Sequence, residues 1–201
     1  MRDGLRGASV RAVLAESGLT SGAMRYYFGN HDELLMFAAE HVLRQAEARI
    51  RAHLADDRLV GRDRVRAILG EILPLDETRA TEITVFVRLA ELDDADGRGS
   101  QARASAYHGC RALVDSAVAE FERTYAGEVR TPGRERHHLV EHYHLALDGL
   151  AYQYVLNPGL LTFQEVAARL DRLLDSLEAD VRTLTRQPGD RGGSSGTNSA
   201  A

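Results

Sequence analysis

From Val10 onward the apolar residues of this chain recur at three- and four-residue spacings, and alternation at period two is scarce. Such spacing marks helices with one buried stripe, and the abundant Ala, Leu, Arg and Glu favour helix by intrinsic propensity. The pattern predicts an all-α fold. A first helix is predicted from Ser9, its N-cap, to Ser17, with Gly18 as the stop and Val10, Val13 and Leu14 as the apolar stripe. A short second helix follows Thr20 and runs through Phe28. The third starts at Asn30, where Asn30-His31-Asp32-Glu33 has the form of a capping box, and runs through Leu34, Leu35, Phe37, Ala38, Val42 and Leu43 to about His53.

Five more helices are predicted near 62–73, 77–93, 100–126, 134–156 and 162–185. Pro74, the acidic stretch 93–99, the segment 127–133 and Asn157-Pro158-Gly159 separate them. The longest apolar stripes lie on the last two helices and include Leu145, Leu150, Val166, Leu170, Leu173, Leu174 and Leu177. These helices are expected to pair with those of a second copy as a four-helix bundle. Residues 187–201 are rich in Gly, Ser and other small residues, hold no apolar run, and read as a disordered tail. The chain therefore divides into a region of short helices and a long one at 1–50, a larger helical domain at 51–186, and the tail at 187–201.

Composition narrows the class. At 201 residues and 44% hydrophobic content the chain can build a sizeable core. Its one cysteine, Cys110, cannot close an internal disulfide, no apolar run reaches bilayer length, and the first residues lack a signal-peptide core, so a cytoplasmic protein with no membrane partner is expected. The net charge of −5 is unevenly spread. Residues 1–31 carry four Arg against two acids, whereas residues 54–186 carry 17 Arg against 23 acids, which sets the basic charge at the front.

Residues 9–28 thus hold a helix, a tight turn at Gly18-Leu19 and a second helix within twenty positions, the spacing of a DNA-reading helix-turn-helix. On the second helix Ser21 and Arg25 share one face, beside Gly22 and Tyr26, while Met24 and Phe28 point the other way. Arg25 can bond a guanine edge in two places, and the small Gly22 and Ala23 let the helix approach the groove closely. Tyr26 and Tyr27 can each bond a phosphate oxygen, as can the free N–H groups at the start of the third helix near Asn30 and His31.

The run Ser9-Val10-Arg11-Ala12-Val13, followed by Gly18-Leu19-Thr20-Ser21-Gly22-Ala23-Met24-Arg25-Tyr26-Tyr27-Phe28-Gly29-Asn30-His31-Asp32-Glu33-Leu34, resembles the TetR family signature. The stretch Leu145-Ala146-Leu147-Asp148-Gly149-Leu150-Ala151-Tyr152-Gln153, with Asn157-Pro158 and the last amphipathic helix, is similar to the family's BetI-like branch. The resemblance implies a homodimer on a palindromic double-stranded DNA operator, a repressor by family habit, and a C-terminal domain that binds a small-molecule inducer of unknown identity. It implies DNA contacts from Ser9, Arg11, Ser21, Gly22, Ala23, Arg25, Tyr26, Tyr27 and His31.

Three features depart from the family pattern. His31 stands where the family usually has Lys, Leu14 stands where it has a small Ala, and only Met1 to Ala8 precede the helix at residue 9, where the family has a whole helix. The last departure carries an expectation that the physiological protein begins upstream of Met1. It also keeps open an alternative function, a helical dimer that binds a ligand or partner without binding DNA.

On the helices that would enclose a ligand, Phe86, Arg88, Tyr107, Cys110 and Tyr143 are the candidate contacts, together with Tyr152. Arg88 is a lone cation within Val85-Phe86-Val87-Arg88-Leu89, which must reach solvent, pair with an acid or meet an anion. His137, His138, His142 and His144 invite a metal reading, because His138 and His142 stand at i, i+4 on one helix, but no HExxH arrangement accompanies them, so a solvated or pocket-lining helix and no metal are expected. No nucleophile elbow, phosphate-cradling loop or dinucleotide fingerprint occurs, so neither an enzyme nor a cofactor is expected.

Overall fold

The computed structural model describes residues 31–89, 98–127 and 129–186. The described residues form helices without a strand: α1 (His31–Ala55), α2 (Gly61–Gly70), α3 (Glu77–Leu89), α4 (Arg98–Tyr125), α5 (Gly133–Leu156) and α6 (Phe163–Thr185). The predicted helix-turn-helix and the predicted tail lie outside the described residues, and so do 90–97, on which the predicted end of the helix at 77–93 falls.

The long helix α4 packs against α2, α5 and α6, while α1 lies across α2 and α3. Core side chains come from every helix after α1. Val65 and Leu69 of α2, Ile83 and Val87 of α3, and Val114, Val118 and Phe121 of α4 meet Tyr143, Leu147 and Leu150 of α5 and Val166, Leu170, Leu174 and Leu177 of α6. A small satellite cluster, Ala38, Ala39 and Val85 with Met36 and Val42 against it, makes the apolar contact between α1 and α3.

Local chemistry fixes the helix ends. Thr162 caps α6 by accepting the Glu165 N–H, and Glu165 reaches back to accept the Thr162 N–H at 2.8 Å, a capping box. α2 ends at Gly70, three residues before the predicted end, because the chain tightens there: the N–H groups of Glu71, Ile72 and Leu73 bond three residues back rather than four. At its start Gly61 takes φ +53°, where an added Cβ would lie 3.3 Å from the Thr124 side chain, and its N–H donates 2.7 Å to the buried Glu120 carboxylate. Glu122 does the same for the next connection, accepting the Thr131 N–H and an Arg136 N–H, each at 2.9 Å.

One expectation from the sequence needs correction. Leu150, Val166, Leu170, Leu174 and Leu177 are buried within this chain's own core and so cannot also form a seam with a second copy. A stripe at helical spacing is satisfied by whichever neighbour covers it, and here α4 and α2 cover α6 from within the chain. Exposed apolar side chains gather on one face of α5, where Leu145, Tyr152 and Leu156 lie with Gly149 between them and Leu160 follows in the next turn; Phe37, Leu54, Val60, Tyr107 and Tyr125 are exposed elsewhere. No described helix is long and apolar enough to cross a membrane.

Candidate functional site

Two polar constellations stand out against the apolar core. The first joins α1 to the body of the domain. The Glu71 carboxylate is buried just past α2 and accepts Arg49 Nε at 2.6 Å, Arg79 Nη2 at 2.5 Å and His53 Nε2 at 3.0 Å. Arg49 also forks onto Glu82 of α3, with Nη1 to Oε1 at 3.0 Å and Nη2 to Oε2 at 2.5 Å, and Arg79 pairs with Asp76. Bidentate guanidinium bonds are strongly directional, so the last turns of α1 are held in one orientation over α2 and α3. Burial pushes the Glu71 carboxyl up, but the hydrogen bonds from Arg79, Arg49 and His53 together outweigh it and hold the group at about 2.

The second constellation lies between α4 and α5. His144 is almost wholly buried, and its Nε2 has no hydrogen-bond partner; Asp148 Oδ2 is 3.2 Å away but out of alignment. The Tyr107 ring meets His144 edge-on, with centroids 4.8 Å apart. Burial raises the Asp148 carboxyl against the opposing pull of His144. The Cys110 thiol is pushed up to about 12, first by burial and then by the Asp148 charge. A thiol so held stays protonated near neutral pH, so Cys110 is a poor nucleophile beside the histidine and carboxylate. A buried nitrogen without a partner costs stability unless something binds it, which makes His144 the centre of a candidate ligand contact.

A family model for the BetI-type transcriptional repressor C-terminal domain matches residues 61–179, more than half of the chain. The chain belongs to the TetR family, with a BetI-type C-terminal domain. Similar proteins include the HTH-type transcriptional regulator PksA of Bacillus subtilis (strain 168), 39% identical over 83 residues, which are 41% of this chain and 40% of that protein. The HTH-type transcriptional regulator BetI of Stenotrophomonas maltophilia (strain R551-3) is 41% identical over 87 residues, 42% of this chain and 43% of that protein. The matches thus span about two-fifths of these relatives' length. A transcriptional regulator from Rhodococcus sp. Rha1 has the same fold, with a TM-score of 0.64 at 23% identity over 93% of this chain and 92% of that one.

Of the sequence-predicted contacts of this TetR-family chain, His31 is the first residue of α1, while Ser9, Arg11, Ser21, Gly22, Ala23, Arg25, Tyr26 and Tyr27 lie outside the described residues. Tyr107 and Cys110 come together with His144 and Asp148 in the seam between α4 and α5. Tyr143 does not join them: its ring is in the core and its hydroxyl donates to Asp180 Oδ2 of α6 at 2.7 Å. Phe86 is half-buried on α3, and Arg88 belongs to the last turn of the same helix, its side chain outside the described residues. Sequence reasoning missed Glu71 and Asp148, and it weighed His144 only among four histidines of one helix. For His144 and Asp148 the signal was their i, i+4 spacing at the start of the motif that resembles BetI, His144 standing just before it and Asp148 within it; Glu71 gave none, since its partners Arg79, His53 and Arg49 are 8, 18 and 22 positions away.

Because the Glu71 carboxyl is lowered from 4.5 to about 2 in the folded chain, it stabilises the fold above its unfolded value and loses that contribution as pH falls through 2. Urea unfolding between pH 5 and pH 2 is therefore expected to show stability falling, with the slope reduced in Glu71→Gln. At neutral pH that substitution leaves Arg49 and Arg79 facing a neutral amide and is expected to cost about 3 kcal/mol, the usual scale for breaking a buried pair. An unchanged unfolding midpoint would show that the network contributes nothing.

Proposed function

We propose that the protein is a homodimeric, ligand-responsive transcriptional repressor that reads a palindromic operator with residues 9–28. The observation that carries this reading is the match of residues 61–179 to the BetI-type repressor domain, directly behind a segment whose residues 9–34 carry the TetR-type motif. α1 begins three residues after Phe28 and is gripped at its far end by Glu71, so a shift of α2 or α3 reaches the DNA-binding segment through one rigid helix. Arg25 reads base edges, Ser21 and the small Gly22 and Ala23 allow close approach, and Ser9, Arg11, Tyr26, Tyr27 and His31 hold the phosphates. The inducer is a small molecule that supplies the missing partner of His144, with Tyr107 and Cys110 beside it.

The second copy docks on the exposed face of α5. Leu145, Tyr152, Leu156 and Leu160 leave an apolar strip that none of the described residues covers, and Gly149 lets another helix come close. A two-fold axis there sets two recognition helices on half-sites about 34–36 Å apart, or a multiple of that.

Gel shifts with the DNA upstream of the protein's own coding region are expected to give a salt-sensitive specific complex. Arg25→Ala should weaken that complex by about 1–3 kcal/mol per half-site with little effect on random DNA, whereas Tyr27→Phe should weaken both alike. No specific shift at any salt would favour the alternative of a ligand-binding dimer without DNA. Sedimentation should give a dimer at micromolar concentration and a monomer for Leu145→Arg; a parent monomer overturns the α5 interface. His144→Leu removes a buried unpaired nitrogen and is expected to keep or raise the thermal midpoint while leaving a reporter permanently repressed. A lowered midpoint with normal induction would give His144 a purely structural role.

A further inference from the structure

Beyond the buried seam, α4 and α5 part at the N-terminal end of α5 to leave an open groove of about 380 Å³. Its walls carry His108, Arg111 and Asp115 from α4 and Arg136 and His137 from α5, with Val140 and Ala112 on the floor. The charges divide into those already matched and one that is not. Arg136 donates Nε to Asp115 Oδ1 at 2.7 Å, Nη2 to the Asp115 carbonyl at 2.9 Å and Nη1 to the buried Glu122 at 2.9 Å. Arg130 lies 3.9 Å from the same Glu122, so two arginines and two acids balance on this rim. Arg111 has no carboxylate within salt-bridge distance among the described residues; its contact is Nη2 to His137 Nδ1 at 3.1 Å.

That contact fixes the imidazole. A guanidinium has donors and no acceptor, so His137 Nδ1 accepts and its ring proton sits on Nε2, which is left as a further donor. Among the described residues most of the Arg111 N–H groups remain without a partner, and Gly133 on the groove wall has none of them within 4 Å of where a Cβ would stand. An open concavity with one unbalanced planar cation, neighbouring imidazoles and an apolar floor suits a ligand that has an oxyanion at one end and carbon at the other.

We propose that this groove binds a small organic oxyanion, with its charged end on Arg111 and His137 and its apolar part on Val140 and Ala112. The site lies apart from the unpartnered His144 nitrogen, so a ligand here would act alongside an inducer rather than in its place. Arg111 sets the affinity through paired N–H bonds to the oxyanion, and His108 closes the side of the groove next to Tyr107, whose ring meets it edge-on at 5.4 Å between centroids.

The test is titration of the full chain, without DNA, with sodium benzoate and separately with inorganic phosphate, followed by calorimetry and by the imidazole resonances of the histidines. Benzoate is expected to saturate, to move the His108 and His137 signals, and to bind at least tenfold more weakly to Arg111→Ala and to Arg111→Gln. Arg172→Ala, on the exposed side of α6, should bind as the parent does, and thermal midpoints check that each variant is folded. Phosphate is expected to bind more weakly than benzoate because it cannot use the floor. Benzoate that moves neither histidine, or that binds Arg111→Ala as tightly as the parent, overturns the site. Phosphate binding as tight as benzoate overturns the organic ligand and leaves a site for inorganic anions. None of these readouts uses operator DNA, so they stand or fall apart from the repressor reading.

Discussion

A carboxylate buried among three cationic or donor side chains holds this structure to a single shape. Glu71 has no solvent to satisfy it, so Arg49, Arg79 and His53 must all reach it, two from the end of α1 and one from the start of α3. The apolar cluster between α1 and α3 is small, with Ala38, Ala39 and Val85 at its centre, and such contacts tolerate sliding because they have no preferred direction. Forked guanidinium bonds do not. The orientation of α1 is therefore set by polar geometry more than by packing.

The rest of the domain follows a different rule. α4 touches α2, α5 and α6, and its Val114, Val118 and Phe121 are the floor on which the other stripes close. Once α6 has turned Val166, Leu170, Leu174 and Leu177 inward, little of its apolar surface is left for a partner. α5 buries one side in the same way and keeps Leu145, Tyr152 and Leu156 outside. A helix that is apolar on two faces in a domain of this size needs two neighbours, and the described residues supply one.

Between α4 and α5 the polar residues are sorted by burial. At the inner end, His144 and Asp148 are close but misaligned, and desolvation raises the Asp148 carboxyl and keeps Cys110 a thiol. At the outer end, Arg136 is satisfied by Asp115 and Glu122 while Arg111 has only an imidazole. The seam therefore offers an unpaired acceptor or donor in a dry setting and an unpaired cation in a wet one, two different invitations to ligands.

The sequence by itself determined the all-helical class, the six described helices to within a few residues at most ends, and the family, through the run at 9–34 and the motif around Leu145–Gln153. These are local properties: apolar period, caps and breakers act over a turn or two, and the Thr162-to-Glu165 box or the Asn157-Pro158-Gly159 break can be read without knowing the fold. Tertiary structure alone decided which stripe faced inward, so that Leu170 and Leu174 became core while Leu145 stayed outside. It alone paired Arg49 with Glu71 and Glu82, left His144 without a partner, and drew Arg111 and His137 to one groove. Periodicity shows that a helix has a face and says nothing about what covers it, and a charge finds its partner only after chain segments far apart in sequence have been packed together.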